Sequence, residues 1–410
     1  MTLRYHRVKP PESTPVGHGP ASPALPVYAL VFTAGMVQSA LAPLGPVYER
    51  DLHLSSVQVG ALFAAASVTM LLAALPIGVV TDRLGARRLT AAAAVVIAVS
   101  AVGQALAGDF WLLLASRAVF GIGFGAVWTA GIALLAEVPT AGRRSALGAT
   151  IPVTGAAVAL GPAFAGVVAA RFGIAVPFLA IAAAAGVVAV AIARAPEAIE
   201  PDRVERPSVG AMLRAVRGHR PVLAAAVLLT AAGCSSSLGF LLVPLRLRSN
   251  GVSVGTIGAI LGVAALFYVS AGIVAARLGA QVARPAVAGL AVLVLGLAVG
   301  LPALSTSTLS LVAFLFVRAG CNAAMTTAAY SLVTDGAGDA GVGAGAAIGL
   351  VNAAWAVSTV VMPVAGGAIA GAASDRLAFA LLVVPTLAAG VWLIGSVRAP
   401  VLLGAARRRP

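Results

Sequence analysis

The chain has 410 residues, 60% of them apolar and 10% charged, with a formal net charge of +14. A bilayer-crossing helix takes roughly 20 apolar residues, so this composition holds about twelve of them and little else. A water-soluble chain with so few charges would expose one continuous apolar surface.

Lysine occurs once, at Lys9. That excludes a phosphate-binding loop, whose glycine turn must be followed by lysine, and with it an ATP-driven motor in this chain. The excess arginines are scattered over short polar stretches, which is a topology signal rather than a nucleic-acid surface. Cys234 and Cys321 are too few for a disulfide framework or a metal set. His6, His18, His53 and His219 all lie outside the apolar runs, so neither a metal nor a cofactor is expected.

In chain order, residues 1–26 carry Pro10, Pro11, Pro15, Pro20, Pro23 and Pro26 and read as a disordered cytoplasmic tail. They do not read as a signal peptide, because the first apolar run is long and leads straight into another. The apolar runs predict helices at 27–47, 56–80, 89–108, 111–136, 145–169 and 174–194. After a polar linker at 195–220, six more follow at 221–245, 253–275, 285–303, 308–333, 343–371 and 376–397. This gives an all-α membrane protein of two six-helix bundles, 27–194 and 221–397, closed by a basic cytoplasmic tail at 398–410. Within the linker, Val209, Met212, Leu213 and Val216 have the spacing of a short surface helix.

Orientation follows from the basic residues. Placing the tails, the linker and the even-numbered loops in the cytoplasm puts 20 of the 27 there. Arg50, Arg171, Arg246, Arg248 and Arg376 remain on the other face, so both termini are expected inside a plasma membrane. Only the loop after helix 10, with Asp335 and Asp339 and no base, dissents.

The halves repeat. Gly78-Val-Val-Thr-Asp82-Arg83-Leu84-Gly85 returns as Gly272-Ile-Val-Ala-Ala276-Arg277-Leu278-Gly279. At a constant separation of 201, Arg117 pairs with Arg318, Gly148 with Gly349, Pro162 with Pro363 and Gly166 with Gly367. Duplicated helical halves joined by a long link mark alternating-access carriers, whose solute site lies at the midplane between them.

The stretch Gly78 to Arg88, GVVTDRLGARR, read as the loop between helices 2 and 3, resembles the signature of the major facilitator superfamily. Helix count, topology and repeat extend the resemblance over nearly the whole chain. It implies a gating role for Gly78, Asp82, Arg83, Gly85, Arg87 and Arg88, with Asp82 docking near the start of helix 11 and Glu137 pairing with Arg83 or Arg88. The plainer reading is a positive-inside anchor. The second-half copy has Ala276 where the acid stands.

Arg117 opens Arg-Ala-Val-Phe-Gly121-Ile-Gly123, which looks like the superfamily's helix-4 motif, and Arg318 occupies the equivalent place in helix 10. A buried arginine is costly in a membrane. Each is read either as an anion or coupling site or as a cation satisfied by backbone carbonyls. In helix 5, GAAVALGPAFAG from Gly155 to Gly166, with Gly161 and Pro162, is similar to the exporters' motif, though Ala157 and Ala165 replace glycines. Close helix packing explains the same residues. Gln38, Trp128, Ser236 and Asn322, on helices that the resemblance places around a central cavity, and Asn352 and Trp355 on helix 11 are further candidate solute contacts.

No acidic residue falls mid-span, so proton coupling would rest on Glu137, Asp109 or the arginines. The leading expectation is a monomeric carrier exporting a small organic solute by proton antiport. The alternatives are uptake or exchange of an anionic solute held by Arg117 and Arg318, and a membrane sensor or scaffold that moves nothing. The partners expected are a small-molecule solute and the lipid bilayer. An enzyme is not expected: Gly251-Val-Ser253-Val-Gly255 mimics a nucleophile elbow, but no span carries a histidine to activate the serine.

Overall fold

The structure, a computed structural model, describes residues 24–136, 149–195, 219–278, 281–339 and 344–395. Among these are twelve helices long and apolar enough to cross a bilayer. They are α1 Ala24–Asp51, α2 Ser56–Leu84, α3 Ala86–Leu106, α4, α5 Thr150–Phe172, α6 Ala175–Ala193, α7 Arg220–Ser249, α8 Val254–Leu278, α9 Pro285–Leu304, α10 Thr308–Asp339, α11 Ala344–Ala372 and α12 Asp375–Gly395. The fourth is composite: Phe110–Ala126 and Ile132–Ala136 are α-helical, with a π-helical turn at Val127–Gly131 between them.

These helices match the apolar runs in number and order. Their ends overshoot, because a helical backbone needs only its own hydrogen bonds and not apolar side chains. Thus α7 continues through Arg246 and Arg248, and α10 runs to Asp339. At the front, α1 begins at Ala24, inside the stretch expected to be a tail. The rest of that tail, Glu137, most of the linker with its expected surface helix, and the C-terminal tail lie outside the described residues.

One expectation needs correcting. The segment Gly78 to Arg88 is helix, not loop, except for a single residue: Leu84 ends α2, Gly85 breaks it, and Ala86 begins α3. Gly85 sits at φ +85°, ψ 145°, which only glycine adopts readily. Its N–H still donates to the Thr81 carbonyl at 3.0 Å, closing the last turn. A one-residue joint therefore reverses the chain, and hydropathy carries no sign of it, because the polar residues Asp82, Arg83, Arg87 and Arg88 lie within the helical turns on either side.

Within the first half, α1 packs on α5 and α6, α2 on α4, and α3 on α4 and α6. In the second, α7 packs on α10 and α11, α8 on α10, and α9 on α10 and α12. Two pairs join the halves, α2 with α11 and α5 with α8, with thinner contacts from α1 to α7 and α8. Outward-facing residues such as Leu72, Val187 and Leu297 are about two-thirds exposed, as lipid-facing side chains of a bilayer protein are.

Candidate functional site

Arg117 is completely buried. The α4 helix that carries it is capped by Asp109, whose Oδ1 accepts from the N–H groups of Trp111 and Leu112 at 2.8 and 3.0 Å. From there Arg117 reaches two neighbouring helices. Its Nε donates to the Leu62 carbonyl on α2 at 3.2 Å, Nη1 to the Val37 carbonyl on α1 at 3.4 Å, and Nη2 to Gln38 Oε1 at 3.2 Å. Phe120, one turn on, lies with its ring centroid 5.0 Å from the guanidinium carbon. The planar fork is thus spent on fixing α4 against α1 and α2. Gln38 is brought to Arg117, as part of this tie.

Arg318 is buried too, but held differently. Nη1 donates to Ser236 Oγ on α7 at 2.9 Å, and the Phe240 ring lies 4.9 Å away. Asn322, one turn along α10, donates from Nδ2 to the same Ser236 Oγ at 2.9 Å and to the Ala232 carbonyl at 3.4 Å. Arg318 Nε and Asn322 Oδ1 are both buried and have no hydrogen-bond partner among the described residues. Gly239 gives Arg318 its room: a methyl on Gly239 would lie 3.3 Å from Nε. Three candidates read separately from the sequence, Arg318, Ser236 and Asn322, form one cluster.

At the end of the bundle opposite the start of α1, glycine brings the halves together backbone to backbone. Gly60 on α2 abuts the carbonyl of Pro363 on α11, and Gly367 abuts the carbonyl of Ser56. In the other pair, a methyl on Gly258 of α8 would sit 2.5 Å from the Pro162 carbonyl of α5, and one on Gly166 would sit 2.8 Å from the Gly258 Cα. Small residues on both sides are what lets helices approach this closely. Gly155 faces Val269 of α8 across the same α5–α8 interface, whereas Gly161 faces Ser39 and Met36 of α1 within its own half. The helix-5 glycines are therefore packing residues on two faces.

Charges frame the same end. Arg246, closing α7, binds Asp375 Oδ2 at the start of α12 through both Nε (2.8 Å) and Nη2 (2.7 Å). Glu49 of α1 takes a hydrogen bond from Ser56 and lies within electrostatic reach of Asp375. The sequence reading passed over Glu49 and Asp375, since each stands at a helix end where acids are commonplace. Gly60 could have been found through its repeat, Gly258, which stands 198 positions on.

The remaining candidates are dispersed. In the gating stretch Gly78 is buried and Arg83 and Arg88 are exposed. Arg87 donates through Nη1 to the carbonyls of Ala193 and Ala195 at 3.2 and 2.6 Å, capping the end of α6. Asp82 falls in the last turn of α2. Trp128 stands in the π-helical turn of α4, edge-on to Phe124. Such turns frequently mark functional positions, and no sequence pattern announced this one. Asn352 accepts from the Tyr330 hydroxyl at 2.9 Å on an exposed face. Trp355 is half-buried, with its carbonyl set against Gly233 of α7.

The sequence model of the Major Facilitator Superfamily matches residues 27–346 and 224–409. A synaptic vesicular amine transporter of Mus musculus is 32% identical over 150 residues, 36% of this chain and 29% of that protein. A hexuronate transporter of Bacillus subtilis (strain 168) is 32% identical over 163 residues, 38% of each. The chain thus aligns with well under half the length of these relatives. Among solved structures, a bacterial homologue of the human lysosomal transporter Spinster, inward-facing and unoccupied, superposes with a TM-score of 0.72 at 15% identity, covering 90% of this chain and 95% of that one.

Proposed function

Given that the chain belongs to the Major Facilitator Superfamily, we propose that it is a secondary carrier that moves a small organic solute across the bilayer by rocking its two halves about a mid-membrane polar site. The observation that carries this reading is the paired glycine seal. Gly60 with Pro363, and Gly258 with Pro162, join α2 to α11 and α5 to α8 at a single end of the bundle. Contacts made by bare backbone separate without breaking hydrogen bonds or stranding charges, as a rocking interface requires.

The arginine distribution supports cytoplasmic termini, which makes the sealed end external and opens the solute path inward, in a plasma-membrane protein divided at residues 195–220. The small-solute class is supported by the relatives, named for amines and hexuronates. Export is favoured by the similarity of the Gly155–Gly166 stretch to the exporters' helix-5 motif. For proton antiport, the support is the Glu49–Asp375 neighbourhood, which brings one acid from each half together beside the Arg246–Asp375 ion pair of the second half. The gating roles of Asp82, Arg83 and Glu137 belong to the same reading.

The test is reconstitution of the full chain into proteoliposomes with an imposed pH gradient, assayed for movement of a panel of labelled organic solutes. Gradient-driven movement that is lost in Gly258→Leu supports the carrier. Binding of solutes with no movement under any gradient contradicts it and leaves the sensor reading. The second reading, anion exchange, is favoured by Arg318 and not by Arg117, because Arg117 is consumed by the protein's own acceptors.

A further inference from the structure

We propose that Arg318, Asn322 and Ser236 form the recognition site for an organic carboxylate that carries a hydroxyl near its acid group. The inference rests on the carrier reading above and names its substrate class.

The two arginines are repeats of one another that the fold has treated unequally. Each donates to a side chain on the first helix of its own half, Arg117 to Gln38 and Arg318 to Ser236. Those two partners are themselves 198 positions apart, as are Gly60 and Gly258 and also Pro46 and Pro244. In the first half the remaining donors of Arg117 find main-chain carbonyls. In the second, Arg318 Nε has no hydrogen-bond partner among the described residues. The position matching Asn322 in the first half is Gly121, 201 residues earlier, which serves only to let α4 approach Ala66 on α2. The second half therefore adds a polar side chain at the place where the first has removed one.

The charge is also uncompensated. No Asp or Glu occurs anywhere from residue 206 to 334 or from 340 to 374. The Asp375 carboxylate is already held by Arg246 at the end of the bundle. Arg318 lies ten residues into α10, about 15 Å along an axis rising 1.5 Å per residue and so near the middle of a ~30 Å hydrocarbon core. A guanidinium at that depth calls for an anion, and a carboxylate matches its fork with two parallel hydrogen bonds. Amine solutes would meet a cation and no counter-charge.

Asn322 refines the class. The Ala232 carbonyl can only accept, so the Asn322 atom facing it is the amide nitrogen, which leaves Oδ1 as a free acceptor. An acceptor beside an arginine whose Nε–H is unpaired suits a solute whose carboxylate is flanked by a hydroxyl donor, as in a sugar acid.

The experiment compares isosteric pairs on the purified full chain. Half-saturation is measured by ligand-induced thermal stabilisation for D-glucuronate against D-glucose and for mandelate against benzyl alcohol, with serotonin as the cation. The expected result is that at least one acid binds tenfold or more tightly than its neutral twin, and that serotonin does not compete. Arg318→Gln should erase the acid preference, Arg318→Lys should keep part of it, and Asn322→Ala should weaken hydroxylated acids while sparing benzoate. Arg318→Lys and Asn322→Ala keep the proposal testable if Arg318→Gln fails to fold. Equal affinity for acid and neutral twins, or an acid preference unchanged in all three variants, overturns the proposal. If the acids fail while neutral or amine solutes are moved in proteoliposomes, the site assignment falls and the carrier stands. If no solute is moved at all, the carrier reading falls with it.

Discussion

Gly258 and Pro162 meet at the sealed end of the bundle so closely that a methyl group on the glycine would lie 2.5 Å from the proline carbonyl. Gly60 and Pro363 meet in the same way on the opposite side. The two prolines stand 201 residues apart and the two glycines 198, so the seal is one contact made twice. The repeat in the sequence becomes a mechanical property here: like backbone contacts on both sides of one end let the halves part there evenly.

A larger side chain at this contact should wedge the seal. Overpacking against backbone costs roughly 1–3 kcal/mol, enough to move a two-state balance by about tenfold or more. Gly258→Leu should therefore lower transport by about that factor while the purified protein remains monodisperse, and Gly60→Leu should do the same. Gly371→Ala is the control, since a methyl there meets nothing within 4 Å. Transport rates per reconstituted molecule check this.

Arg117 should behave as a structural tie. Arg117→Gln removes the reach to α1 and α2 and is expected to cost about 2 kcal/mol or more, seen as a lower melting temperature in detergent. Arg117→Lys should rescue little, because a shorter, compact ammonium cannot spread its donors across acceptors on two helices as the planar guanidinium fork does. Solute affinity per folded molecule should stay within about twofold by the linkage between binding and stability. A large loss of affinity without a loss of stability would move Arg117 into the solute site.

Gly85→Ala should cost on the order of 1 kcal/mol from backbone conformation alone. Its φ is +85° and no atom lies within 4 Å of where a Cβ would be, so crowding cannot contribute. Gly85→Asn should cost as much, because ψ 145° lies outside the left-handed α region that asparagine tolerates. Thermal unfolding of the three proteins side by side gives the comparison.

The Arg246–Asp375 pair is about a third and a fifth exposed, so its worth is modest. A double-mutant cycle with Arg246→Gln and Asp375→Asn should return a coupling of about 0.5–1 kcal/mol, weakening with added salt. A coupling of zero would leave the pair without a role in holding α7 to α12.

Much of this was legible in the residues. Apolar runs of about twenty, arginine asymmetry and the repeat spacing determined helix number, division and pairing, because in a bilayer each helix satisfies its own backbone. Arg117 and Arg318 stood out as the only charges inside spans. Their different fates did not, since whether a guanidinium finds carbonyls depends on how closely α4 lies against α1 and α2. The helical state of the gating stretch was hidden because Asp82 and Arg83 look like loop residues to any measure of hydropathy. The π-helical turn at Trp128 and the Glu49–Asp375 neighbourhood arise only when helices far apart in the chain come together. Glu137 lies outside the described residues, so its pairing with Arg83 or Arg88 remains a proposal of the sequence.

The rocking of the two halves is tested most directly by spin-label distances at both ends of the bundle in a background with Cys234 and Cys321 replaced by serine. One pair, His53→Cys with Ala373→Cys, spans the glycine seal. The other, Leu84→Cys with Arg277→Cys, spans the halves at the end where α1 begins. On adding a solute that the reconstituted carrier moves, the first distance should lengthen while the second shortens. Distances that stay fixed during demonstrated transport, or that lengthen together, would contradict alternating access about this seal.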